Sequence, residues 1–214
     1  MDFSTSYILA MSTNHQKLIK AAWVSLLICL FSINTYSQGK NRMTVYSGIS
    51  SNALFRKENL VGAGSDEGKG ATVFGIRYLR NLNNSFSIES GLEYSSDKVE
   101  SSSAFYPGIP RTYTKSTIGM VSIPVYGYYN FLKYLFINAG PTVDLETNRS
   151  ENRAIDPQSG IGYGIGLGGN LRFKKISIVA NPFFQKHALI PFSRNVYPQK
   201  LAETGVKLGV GYHF

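Results

Sequence analysis

From residue 43 onward the chain repeats with a period of two, and one of the two faces this creates is rich in glycine. In the stretch 159–173, Ile161, Tyr163, Ile165, Leu167, Leu171 and Phe173 fall on one side. Gly160, Gly162, Gly164, Gly166, Gly168, Asn170 and Arg172 fall on the other. Such alternation marks β-strands with two different surroundings. The same split separates Phe86, Ile88, Leu92 and Tyr94 from Ser87, Glu89, Gly91 and Glu93. It also separates Phe74, Ile76 and Tyr78 from Val73, Gly75 and Arg77, and Val206, Leu208, Val210, Tyr212 and Phe214 from Lys207, Gly209, Gly211 and His213. Helical spacing with caps is hard to find. Strands are expected near 43–50, 70–80, 85–96, 117–131, 134–145, 159–173, 175–187 and 204–214.

The glycine-rich face decides the architecture. In a soluble sandwich the bulky apolar face fills a core, and the other face meets water with ordinary polar side chains. Glycine weakens a strand, so a solvated face gains nothing from it. Inside a narrow barrel, small residues on one strand leave room for long polar side chains from the others. The pattern therefore predicts an all-β fold: a single antiparallel up-and-down transmembrane β-barrel of about eight strands, apolar outside and polar inside. Arg77, Glu89, Glu93, Arg172 and Lys207 are the charges expected in its lumen, as a network that plugs it or, alternatively, as the lining of a small aqueous path. Eight strands enclose a space that side chains can fill, which disfavours a wide pore. Tyr94, Tyr129, Phe131, Tyr134, Phe173, Tyr212 and Phe214 fall near strand ends, where interfacial aromatic girdles lie.

The connections point the same way. Asn81-Leu82-Asn83-Asn84, Leu132-Lys133 and Lys174-Lys175 are short turns, whereas 51–69, 97–116, 146–158 and 188–203 are long. Short and long connections alternate strictly, as short periplasmic turns and long outer loops do in outer-membrane barrels. Pro124, Pro141 and Pro182 sit inside the expected strands, so each calls for a bulge, a kink or a nearer strand end.

The N-terminal region differs from the rest. Lys17 and Lys20 precede the apolar run 21–33, and 34–39 is polar. A basic start, an apolar core and small residues at the cut describe a secretory signal peptide over 1–37, cleaved after Ser37, with Met11 as an alternative start. The run is shorter than the ~20 residues a spanning helix needs. The barrel domain is then 38–214. Cys29 leaves with the signal, so disulfide and thiol chemistry are not expected. The net charge of +9 is scattered, with no Lys/Arg run longer than two residues. That spread suits solvated loops and barrel ends and excludes a nucleic-acid footprint.

Phe214 ends the chain in register with Val206, Leu208, Val210 and Tyr212. This looks like the strand signal read by the outer-membrane barrel-assembly machinery. Further segments resemble the PorT-like outer-membrane β-barrel family over most of 40–214. They are Gly91-Leu92-Glu93-Tyr94, Ser122-Ile123-Pro124-Val125 leading into Tyr126-Gly127-Tyr128-Tyr129, Asn138-Ala139-Gly140-Pro141, and the Gly-Tyr-Gly-rich stretch after 159. The resemblance implies an integral barrel of the Gram-negative outer membrane. Its expected partners are the outer-membrane lipid bilayer, the barrel-assembly machinery and an envelope protein. The secretion role of a few relatives does not transfer, because no motif marks those members here.

Candidate chemistry is sparse. Of three histidines, His15 leaves with the signal, and His213 is expected on the inner face at the periplasmic rim. His187 is expected near the start of a long outer loop, six residues before Ser193. A barrel enzyme acting on lipid or peptide would need His187, a serine and a carboxylate to converge. No Cys/His cluster has metal spacing, and the Gly-x-Gly-x-x-Gly-like strings around 162–169 lie in strand alternation rather than at a strand-to-helix turn. Catalytic, cofactor and metal residues are therefore not assigned. The expected protein is non-enzymatic and porin-like in architecture, acting through outer loops or partner contacts in envelope integrity, adhesion or an envelope complex. Its rivals are the His187 enzyme and a soluble secreted barrel holding a small ligand, which would need the bulky face turned inward.

Overall fold

A computed structural model describes residues 41–55, 65–104, 108, 110–147, 156–193 and 199–214. The expected signal peptide lies outside these residues, as do most tips of the outer loops. Eight strands follow in order: β1 (Asn41–Phe55), β2 (Asp66–Asn81), β3 (Phe86–Ser102), β4 (Tyr113–Asn130), β5 (Leu135–Glu146), β6 (Gly160–Phe173), β7 (Ile176–Pro191) and β8 (Lys200–His213). Each pairs antiparallel with the next, and β8 returns to β1, so the ring closes with no free edge.

The register fixes the barrel's size. It runs from Asn41 through Arg80, Ile88, Gly127, Ala139, Ile165, Phe184 and Thr204 and regains β1 at Ser51, ten residues further on. A stagger of ten residues of ~3.3 Å against eight strand spacings of ~4.8 Å tilts the strands by about 40°.

The strands are longer than their apolar alternation predicts, and almost all the excess is at the outer ends. There β1 runs to Phe55, β2 starts at Asp66 and β3 reaches Ser102. These extensions carry Ser51, Asn52, Asp66, Glu67, Glu100 and Ser101. The hydrogen-bonded ladder continues where the apolar pattern has stopped, so the outer loops are shorter than expected. The prolines cause no register shift. Register shifts fall between Gly68 and Ala71 and between Ile161 and Tyr163, not at Pro124, Pro141 or Pro182. Each proline instead interrupts one ladder without changing its register: the β3–β4 pairing skips Pro124, the β4–β5 pairing skips Pro141 and the β6–β7 pairing skips Pro182, as a residue without an amide proton requires.

Alternation sorts the side chains as the glycine-rich face required. Val45, Leu208 and Val210 are at least 60% exposed, while Arg77, Glu89 and Lys207 are each 5% exposed. The bulky face points outward, which removes the soluble barrel that needs it inside. Aromatic pairs band the exterior. Phe86–Tyr129 and Tyr78–Phe214 lie toward the periplasmic turns, and Phe74–Tyr94 and Tyr163–Phe184 lie further up the wall. Inside, a Cβ on Gly164 would strike the Tyr126 hydroxyl, and one on Gly168 would strike the Phe136 ring. Glycine on β6 is thus the space that large side chains of β4 and β5 occupy.

The tight turns have local causes. Asn83 Oδ1 accepts from the Ser85 and Phe86 amides at 2.9 and 2.8 Å, fixing the β2–β3 turn. Lys174 adopts a left-handed φ of 55° in the two-residue β6–β7 turn, as such hairpins require.

Candidate functional site

The lumen holds two charged clusters stacked along the barrel axis. In the middle, Arg77 from β2 donates from Nη1 to Glu89 Oε1 at 2.9 Å and from Nη2 to Glu93 Oε2 at 2.8 Å, both on β3. Its Nε donates to the Tyr46 hydroxyl at 3.1 Å. The guanidinium lies between the Tyr46 and Tyr126 rings, 5.1 and 4.9 Å from their centroids. Glu93 Oε2 also accepts from the Tyr46 hydroxyl at 2.5 Å and from Lys207 Nζ at 2.6 Å. Lys207 caps the Phe183 ring at 3.8 Å. One carboxylate oxygen thus meets three donors from three strands, which is how a buried charge is kept satisfied.

The second cluster lies toward the outer end. His187, 1% exposed, places Nδ1 2.9 Å from Asp144 Oδ2 and Nε2 3.0 Å from Glu203 Oε1. Ser122 Oγ donates to Asp144 and Ser50 Oγ to Glu203, at 2.6 and 2.7 Å. Asp97 is a third buried carboxylate in this half, held by Asn52 Nδ2 at 3.0 Å and Ser95 Oγ at 2.9 Å. Above it Gln158, wholly buried, accepts from the Leu201 amide and donates to the Gln199 carbonyl, both at 2.9 Å. An apolar layer of Val99, Ile118 and Leu54 lies in the same half, and Leu79, Tyr128, Phe136 and Val179 form another at the periplasmic end.

Four of the five expected lumen charges meet: Arg77, Glu89, Glu93 and Lys207. Arg172 does not join them. It is exposed at the periplasmic rim, where its Nε donates to the Lys174 carbonyl at 2.9 Å. His213 is buried with Nε2 3.2 Å from Ser177 Oγ. His187 departs from its expected place: it is an inward residue of β7 rather than a loop residue, and Ser193 is exposed beyond the strand. The serines that gather near it donate to its carboxylate partners, and both ring nitrogens face carboxylates. A nucleophile-to-base hydrogen bond, the first need of a hydrolytic triad, is therefore not formed at His187. Among the described residues no group of three or more His, Cys, Asp or Glu side chains is arranged to hold a metal ion.

The sequence reading missed Arg42, Tyr46, Asp97, Asp144 and Glu203. Two of them keep the inward parity of residues already assigned: Asp97 follows Glu89 and Glu93 on β3 at even spacing, and Glu203 precedes Lys207 on β8 in the same way. Continuing the two-residue period into the polar strand ends would have found these two. Arg42 and Tyr46 on β1 and Asp144 on β5 belong to strands whose faces the sequence reading did not sort.

No protein-family model matches the chain, and no curated protein matches it. Solved structures do. The outer membrane protein OprG from Pseudomonas aeruginosa is similar with a TM-score of 0.54 at 11% identity, over 83% of this chain and 97% of that one. Outer membrane protein AlkL, solved by solid-state NMR in DMPC lipid bilayers, gives 0.50 at 10% identity, over 84% and 92%. At such identities the likeness is one of fold. The chain has the closed eight-stranded antiparallel fold of outer-membrane β-barrels.

Proposed function

We propose that this chain is an integral outer-membrane β-barrel protein, PorT-like in type, that acts without enzymatic chemistry through its outer loops or an envelope partner. The observation that carries the reading is the pairing of two surfaces. The exterior is apolar over the middle of every strand, and the interior is filled by paired charges, with apolar layers toward both ends. Hydrocarbon surroundings accept the first surface, and for strands only a closed ring satisfies every backbone group there. The second surface leaves no wide aqueous route.

Export by the segment 1–37, and insertion guided by Val206, Leu208, Val210, Tyr212 and Phe214, complete the proposal. The first four face outward along β8, and Phe214, just beyond its end, is exposed as well. Conductance tests the functional half. Folded protein in a planar lipid bilayer should give no steady open level. A stable, ohmic current from single insertions would replace the plugged-barrel reading with a channel.

A further inference from the structure

Below the central network the lumen contains a cavity of about 30 Å³, lined by Arg42, Thr44, Tyr46, Asn181, Lys207 and Gly209 among others. That is room for one or two waters or a single small ion. Three cations line it, Arg42, Arg77 and Lys207, with Glu89 at its wall and Glu93 behind. The carboxylates are already committed. Glu89 Oε1 accepts from Arg77, and Glu93 Oε2 accepts from Arg77 and Lys207.

Arg42 is the most loosely paired of the three cations. It is 3% exposed, and its nearest carboxylate oxygen, Glu89 Oε2, is 3.7 Å away, beyond hydrogen-bond distance. Its Nη2 makes only a long 3.4 Å contact with the Tyr128 hydroxyl. Its Nε has no partner, and neither has the hydroxyl of Thr44, 5% exposed, on the same strand and the same cavity wall. The guanidinium is held by that long ion pair, that long hydroxyl contact and the Tyr128 ring 5.4 Å away, and a buried Nε and a buried hydroxyl without hydrogen-bond partners are each costly. The wall is mixed, since the Glu89 carboxylate and an Asn181 whose amide oxygen has no hydrogen-bond partner also line it, but the barrel end below it is positive. Arg80, Lys133, Arg172, Lys174 and Lys175 stand at the periplasmic end, and no Asp or Glu lies there among the described residues.

We infer that this cavity is a binding site for a small monatomic anion of the halide class, held by Arg42 Nε and the Thr44 hydroxyl with the Lys207 ammonium nearby. The anion brings the three cations and two carboxylates to neutrality and completes the plug from the periplasmic side.

The test uses the folded barrel in detergent, with sodium bromide, sodium chloride and sodium gluconate at matched ionic strength. Thermal unfolding should shift upward saturably with either halide, by about 3–5 °C at tenfold the dissociation constant, and not with gluconate. The shift should vanish in Arg42→Gln and weaken in Thr44→Val. Crystals grown in bromide provide a readout independent of any variant, with an anomalous peak expected beside Arg42 Nε. An equal salt response in wild type and Arg42→Gln, or an empty or water-filled cavity in the bromide crystals, overturns the site.

Discussion

The two charged clusters of the lumen solve the same problem in opposite ways. In the central one, two carboxylates are shared among cations from several strands, so positive charge is in surplus and negative charge is saturated. In the outer one, Asp144 and Glu203 flank a single imidazole with Asp97 buried in the same half, and hydroxyl and amide donors supply the remaining hydrogen bonds. The difference teaches that burial inside a barrel does not require charge matching at every level. It requires that each charged atom find donors or acceptors, which ion pairs do in the centre and neutral side chains do further out.

The sharpest way to break this comparison is to remove the hub of the central cluster. Arg77→Met strands Glu89 and Glu93 in the lumen and should destabilise the barrel by about 3–5 kcal/mol, measured by urea unfolding in lipid vesicles. A cost below about 1 kcal/mol would mean that water reaches these carboxylates freely and the plug is loose.

The lipid face supplies the next largest effect. Leu208, 60% exposed on the outer wall, should tolerate Arg at a cost of about 2–4 kcal/mol if it sits at mid-bilayer depth. Intact insertion and unchanged heat stability of Leu208→Arg would reverse the assignment of faces.

Matched amide substitutions then contrast the clusters directly. Glu93→Gln removes the negative charge on which three donors converge and should cost about 3 kcal/mol. Glu203→Gln relieves a surplus of negative charge beside Asp97 and Asp144, and should cost less than about 1 kcal/mol. Equal losses in the two variants would erase the distinction between a cation-rich centre and a carboxylate-rich outer half. At the small end, Arg172→Gln at the exposed rim should stay within about 0.5 kcal/mol of wild type; a larger loss would return Arg172 to the lumen network.

The barrel was legible because period-two alternation and the sorted turn lengths both survive in the primary sequence. Strand order needed no more than the pairing of each strand with its successor in the chain. The strand ends were less legible: Ser95, Asp97, Asn52 and Glu203 continue the inward face, but the outward residues between them are no longer uniformly apolar, so the contrast on which alternation depends fades. His187 was misplaced for that reason. Its neighbours Gln185 and Lys186 look like loop residues, yet Gln185 points into the lumen and Lys186 lies over the Phe55 ring on the outer wall, 5.2 Å from its centroid. Arg172 failed in the opposite sense. It keeps inward parity, but the barrel ends just beyond it, and parity alone carries no information about depth.

The central claim is that the alternating faces belong to a folded barrel embedded in the outer membrane. Fractionation of expressing cells followed by gel electrophoresis of unboiled and boiled outer-membrane samples tests it most directly. The account predicts a band in the outer-membrane fraction that migrates differently until it is boiled. A soluble periplasmic or secreted protein, with no heat-dependent change in migration, would contradict it.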